Sequence, residues 1–155
     1  MAATLKGHTE SVYSTAFTPD GKYVVTGSFD KTIKVWETAT GKEFKTFGGP
    51  NGHTGLVLSV AVSPDGALMA SGGSDNTARL WDFPTANAVR SLAMADAVNA
   101  VALSPDGTKV AGAGKDGLVK LWNAADGKEL FSMPGHTSAV LGVAFAGNGQ
   151  LLVSS

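Results

Sequence analysis

Residues 63–81 read Ser63-Pro64-Asp65-Gly66-Ala67-Leu68-Met69-Ala70-Ser71-Gly72-Gly73-Ser74-Asp75-Asn76-Thr77-Ala78-Arg79-Leu80-Trp81, and the pattern of this stretch stands twice more in the chain. Asp20-Gly21, Asp65-Gly66 and Asp106-Gly107, each preceded by proline, lie sixteen residues before Trp36, Trp81 and Trp122. A second aspartate, Asp30, Asp75 or Asp116, lies six residues before the same tryptophans, which are 45 and 41 residues apart. Landmarks kept in register over three copies mark an array of small supersecondary units.

Between the landmarks run short apolar segments such as Val57-Leu58-Ser59-Val60-Ala61-Val62 and Leu68-Met69-Ala70-Ser71, bounded by Gly, Pro, Asp and Asn. Segments of this length, rich in valine and closed by turn residues, predict strands, and Pro-Asp-Gly predicts the hairpin turns between them. Sustained helical periodicity is missing, so the reading is four strands per repeat.

Composition narrows the class. The 155 residues are 43% hydrophobic and 8% aromatic, which excludes disorder and collagen-like structure. Twelve basic against thirteen acidic side chains give a net charge of −1, which argues against a nucleic-acid or anionic-membrane surface. There is no cysteine, hence no disulfide framework and no thiolate zinc site. The stretch Met1-Ala2-Ala3-Thr4-Leu5-Lys6-Gly7-His8 lacks a secretory apolar run, and no 18 consecutive residues are apolar. The expectation is a cytoplasmic protein.

The sequence resembles the WD-repeat β-propeller family, whose repeat opens on Gly-His and closes on Trp-Asp. Gly7-His8, Gly52-His53 and Gly135-His136 carry the opening; Trp36-Glu37, Trp81-Asp82 and Trp122-Asn123 carry the closing, with Glu37 and Asn123 as conservative departures. The resemblance implies an all-β fold: propeller blades of four antiparallel strands, in an open arc of three full blades plus a partial fourth. Repeats are expected at about 5–47, 52–92, 93–131 and 132–155, the last one truncated. Because the family's repeat straddles two blades, residues near 2–6 are expected to form an orphan outer strand, and the full blades to end near Phe47, Leu92 and Phe131. The fourth repeat should offer one strand around Val140 to Phe145, turn at Asn148-Gly149 and stop inside its second strand.

Histidine, hydroxyl and aspartate recur together, a set that invites a hydrolase reading. The sets are His8, Thr26, Asp30 with Trp36, and His53, Ser71, Asp75 with Trp81. A catalytic triad has no reason to occur twice in one register, and the resemblance implies structural tetrads instead. Repeat three has Met94 and Gly112 in place of the histidine and the hydroxyl; repeat four keeps His136 and Ser154. No catalytic residue, metal site or cofactor is expected: the three histidines are a repeat or more apart, and no phosphate-cradling glycine motif occurs.

The resemblance further implies three partner-facing positions per repeat. Carried over, these are Ser11, Tyr13 and Phe29; Leu56, Leu58 and Ser74; Ala97, Asn99 and Lys115; and Ala139 with Leu141. Tyr13, Phe29, Leu56 and Leu58 are read as an apolar patch for a peptide or a partner loop. The implied function is a non-enzymatic protein–protein or protein–peptide scaffold, as part of a larger multi-blade protein that supplies the missing remainder of the propeller. The alternatives are a self-assembling structural module that closes a ring as a homo-oligomer, and a sensor or regulatory segment of a multidomain enzyme. Residues 132–155 contain no charged side chain, an association liability for exposed strands.

Overall fold

A computed structural model describes residues 4–155. Among these, fourteen strands form four antiparallel sheets. Blade one holds β1 (Val12–Phe17), β2 (Tyr23–Ser28), β3 (Ile33–Glu37) and β4 (Glu43–Phe47). Blade two holds β5 (Val57–Val62), β6 (Leu68–Gly73), β7 (Thr77–Asp82) and β8 (Ala88–Ala93). Blade three holds β9 (Val98–Leu103), β10 (Lys109–Gly114), β11 (Val119–Asn123) and β12 (Glu129–Met133). Blade four has β13 (Val143–Ala146) and β14 (Leu151–Ser154). Each full blade is a meander in chain order.

The repeated turn explains the meander. Asp65 Oδ1 accepts from Ser63 Oγ at 2.6 Å and from the Ala67 amide at 3.0 Å, closing the hairpin between the first two strands. Asp20 and Asp106 make the same pair of bonds, to Thr18 and Lys22 and to Ser104 and Thr108. The following residue must adopt a left-handed backbone, and Gly21, Gly66 and Gly107 do so with φ of 68°, 70° and 68°.

Blades stack through their innermost strands: β1 lies against β5, β5 against β9, and β9 against β13. Each junction has its own core. Between blades one and two lie Val25, Val35, Phe47, Val57, Met69 and Trp81; between two and three, Leu80, Leu92, Met94, Val98, Val110 and Trp122. The third junction is smaller, with Ala100, Ala113, Val119 and Val140. One aligned position shows what stacking does: Val57, Val98 and Val140, each facing a preceding blade, are 0% exposed, whereas Val12 is 46% exposed.

Polar tethers reinforce the apolar contacts. Ser14 Oγ on β1 accepts from the Val60 amide, and Ser59 Oγ on β5 from the Val101 amide, both at 3.1 Å. On the outer strands, Lys45 Nζ donates to the carbonyls of Phe83 and Pro84, and Arg90 Nη2 to that of Ala125, each in the following blade.

Two expectations are corrected, the outer strand near residues 2–6 and the start of blade four's inner strand. Of the outer strand expected near residues 2–6, residues 2 and 3 lie outside the described residues and Thr4, Leu5 and Lys6 form no strand. Blade three ends at Met133, two residues past Phe131, where Met133 pairs with Val119 as Phe47 pairs with Ile33. The inner strand of blade four begins at Val143, not Val140. In blades one to three the second strand runs on to Ser28, Gly73 and Gly114, pairing past a bulge at the start of the first strand. In blade four Val140 instead donates its amide to the Gly114 carbonyl of blade three, while Leu141 and Gly142 donate theirs to the Ser155 carbonyl.

Candidate functional site

Two regions gather functional side chains: the buried His–hydroxyl–Asp–Trp sets, and the exposed residues around the starts of the inner strands. In blade two, β6 carries Ser71, β7 carries Trp81, the turn between them carries Asp75, and the segment before β5 carries His53. The Trp81 indole N–H donates to Ser71 Oγ at 2.8 Å, Ser71 Oγ lies 2.7 Å from His53 Nε2, and His53 Nδ1 lies 3.0 Å from both Asp75 oxygens. A neutral imidazole satisfies every member: indole to hydroxyl, hydroxyl to Nε2, and Nδ1–H to carboxylate. In blade one Trp36 donates to Thr26 Oγ1 at 2.8 Å, and His8 stands 2.7 Å from both Thr26 Oγ1 and Asp30 Oδ2.

The aspartates do more than hold histidine. Asp75 accepts from the backbone of Thr54 and from the backbone and hydroxyl of Thr77; Asp30 does the same with Thr9 and Thr32. Burial pushes the Asp30 carboxyl up, but the bonds from Thr32, His8 and Thr9 outweigh it and hold the group at about 2. Asp75 is likewise raised by burial and brought below the ordinary carboxylate range chiefly by His53 and Thr77. Burial drives the His53 imidazole below its usual value, and Asp75 only partly restores it.

The blade-two set has the connectivity of a hydrolytic triad without its access. Ser71 is 0% exposed and its oxygen is capped by Trp81, so no scissile bond can reach it. Among the described residues, no three His, Asp or Glu side chains converge as metal ligands, and no helix is long and apolar enough to cross a membrane.

Blade three solves the same packing problem differently. Met94 fills the histidine position beside Trp122, and a Cβ on Gly112 would stand 2.9 Å from Trp122 Cζ3. The indole has closed over the space where the other blades keep a hydroxyl. Asp116 still closes its turn, accepting from the Leu118 amide at 3.0 Å, but its Oδ2 is buried without a partner. In blade four His136 Nε2 lies 2.8 Å from Ser154 Oγ, with both residues near the surface.

In the first three repeats one backbone bond joins two of the three surface positions. Phe29 donates its amide to the Ser11 carbonyl, Ser74 to Leu56, and Lys115 to Ala97. Tyr13, 65% exposed, stacks on Phe29 with ring centroids 5.4 Å apart. Leu56 and Leu58 are half-buried, and the Ser74 hydroxyl accepts from the Leu56 amide. Asn99 spends a side-chain N–H on the Val140 carbonyl at 3.0 Å, tying blade three to blade four. Ala139 is half-buried, and Leu141 stands 71% exposed.

Sequence reading overlooked the tethers Lys45 and Arg90 and the cross-strand pairs of Lys34 with Glu43 and Lys120 with Glu129. The available signal was positional: Lys45 and Arg90 both stand nine residues after a tryptophan.

Comparison with known proteins agrees with this architecture. The family model described as WD domain, G-beta repeat matches residues 1–37, 41–82, 87–123 and 127–155. Two solved structures, of U3-55K and of the RRP9 WD40 repeats, superpose with a TM-score of 0.83, at 28% and 27% identity, over 88% of this chain. The chain spans 43% and 42% of those two chains. Among curated relatives, a ribosome biogenesis protein BOP1 homolog of Drosophila grimshawi is 51% identical over 41 residues, which is 26% of this chain and 5% of that protein. The vegetative incompatibility protein HET-E-1 of Podospora anserina is 60% identical over 38 residues, or 24% of this chain and 3% of that protein.

Proposed function

Because the chain belongs to the WD-repeat family of β-propellers, we propose that it is a non-enzymatic interaction scaffold that holds a protein or peptide on the surface marked by Tyr13 and Phe29. The observation carrying this reading is the exposed Tyr13 ring held flat on the half-buried Phe29 ring, on a surface where Ser14 and Phe29 are otherwise tied into the blade. Aromatic rings held rigidly at low entropic cost are the side chains most often found at binding hot spots. Leu56 and Leu58, at the equivalent positions of blade two, extend the apolar patch.

The relatives named for ribosome biogenesis and for vegetative incompatibility share about one repeat's length with this chain, and their names differ. What they share is therefore the blade, and neither their partners nor their compartments carry across. The proposed location remains the cytoplasm, and the proposed partner is a protein or peptide, not nucleic acid or membrane.

Affinity capture with the intact chain tests the proposal. The double variant Tyr13→Ala/Phe29→Ala should lose the captured proteins, while Phe44→Ala, which removes another exposed ring, should keep them. Capture unchanged by the double variant overturns the reading.

A further inference from the structure

Blades one and three repeat an ion pair at one register. Lys34 and Lys120, two residues before their tryptophans, donate to Glu43 Oε2 at 2.7 Å and Glu129 Oε2 at 2.9 Å, seven residues after them. In blade two the cation is Arg79 and the facing residue, paired with Trp81, is Ala88. The carboxylate that completes the other two blades is missing from this one.

What surrounds Arg79 does not replace it. Nη1 donates to the Asn51 carbonyl at 2.8 Å, and Nε is buried without a partner. Nη2 stands 3.9 Å from Asp75 Oδ2, but that carboxylate is already shared among His53, Thr54 and Thr77. Arg90 also borders the groove, but it pairs with Leu80 on the other face of the blade and turns its guanidinium away, to the carbonyls of Val89 and Ala125. The groove holds about 350 Å³ and is lined by Pro50, Asn51, Arg79, Ala88, Arg90 and Ser91. One wall is the turn Gly49–Asn51, in the connection between blades one and two.

We propose that this groove is a carboxylate-binding site, in which a glutamate or aspartate of an acidic partner peptide occupies the seat that Glu43 and Glu129 fill in the neighbouring blades. A guanidinium half-engaged by carbonyls keeps a planar edge for a carboxylate, and a weakly compensated cation away from bulk water gains most from such a partner. The vacancy fits a carboxylate in preference to a phosphate, because the group seated in blades one and three is a carboxylate at the same backbone register. The site extends the scaffold reading to a second surface and does not depend on the Tyr13–Phe29 patch.

The test is nuclear magnetic resonance of the arginine Nε–Hε groups of the intact chain, at constant ionic strength. Titrants are acetyl-Glu-Glu-Glu-Glu-amide, its glutamine counterpart and inorganic phosphate. The Arg79 signal should shift saturably with the glutamate peptide alone, and the Arg90 signal, from the other face of the blade, should not. Ala88→Glu, a change at an exposed position, should restore the internal pair and weaken binding about tenfold or more, the worth of one charge-assisted bond. Tyr13→Ala/Phe29→Ala should bind the peptide as before, so that failure of the Tyr13–Phe29 patch and failure of this groove are told apart. No saturable shift, an equal shift in Ala88→Glu, or phosphate binding as tightly as the glutamate peptide overturns the assignment.

Discussion

Blades two and three have the same meander, the same bulged start and a buried tryptophan at the same position, yet their interiors are held differently. Blade two runs a chain of polar bonds from Trp81 through Ser71 and His53 to Asp75. Blade three has Met94 and Gly112 at the histidine and hydroxyl positions, and Trp122 folded down over the glycine. The topology therefore does not need the tetrad. Turn geometry and inter-blade packing are enough to form the blade; the polar chain adds a single arrangement in which each buried polar group has a partner.

The largest effect that should separate the two blades comes from the tryptophans. Trp81→Phe and Trp122→Phe remove the same ring volume from equally buried sites, but the first also strips the donor from the buried Ser71 hydroxyl. We expect Trp81→Phe to cost about 3 kcal/mol and Trp122→Phe about 1–2 kcal/mol. Urea denaturation followed by circular dichroism measures both; equal losses would show that the indole bond contributes nothing and that the blades differ only in composition.

A second comparison rebuilds blade three in the image of blade two. Gly112→Ser alone forces a Cβ to within 2.9 Å of the Trp122 ring and should cost about 1–3 kcal/mol by overpacking. Met94→His alone supplies the orphaned Asp116 Oδ2 with a donor but sacrifices a buried thioether packed on Trp122. Together the new side chains can form the hydroxyl–imidazole–carboxylate chain, so a double-mutant cycle should return a favourable coupling of about 1–2 kcal/mol. Additive losses would mean that Trp122 cannot rise to admit the network.

How much of this was legible in the sequence follows from what each feature depends on. The register of Asp-Gly, Asp and Trp is a local property, and it located the hairpins, the meander and the repeats' common architecture. The start of β13 at Val143 was not legible, because it depends on how far the opposing strand extends past the bulge. The closing of Trp122 over Gly112 depends on a neighbour's volume, and so escapes any reading of positions one at a time. Lys45 and Arg90 look like ordinary solvated charges on outer strands, and only the carbonyls of the next blade give them a role. The vacancy beside Arg79 is visible in the aligned repeats, where Ala88 stands for Glu43 and Glu129, but strand pairing is what sets that alanine opposite Trp81, as Glu43 and Glu129 are set opposite Trp36 and Trp122.

Acid should sharpen the same comparison, with an effect smaller than either substitution. Burial holds the His53 imidazole below its usual range, so the unfolded chain takes up a proton before the folded one does. The unfolded state then binds more protons as pH falls below about 6.5, the ordinary histidine value, and stability declines with falling pH in that window. Asp75 and Asp30 act with the same sign further down. Their folded carboxyls lie below the ordinary range, so their contribution is complete above about pH 4 and is lost as pH drops through the folded value, about 2 for Asp30. His53→Met, which copies blade three at Met94, removes the first of these steps and weakens the Asp75 part of the second, since His53 is the main group holding that carboxyl down; the Asp30 part is untouched. Urea midpoints measured from pH 7.5 to 5 should fall in the parent chain and fall less in His53→Met, while below pH 4 both should lose stability through Asp30, the parent by the larger amount because it also loses the Asp75 contribution. A parent and variant with the same slope between pH 6.5 and 5 would mean that the buried imidazole of blade two is not titrating there, leaving the aspartate turns common to all three full blades as the source of the acid response.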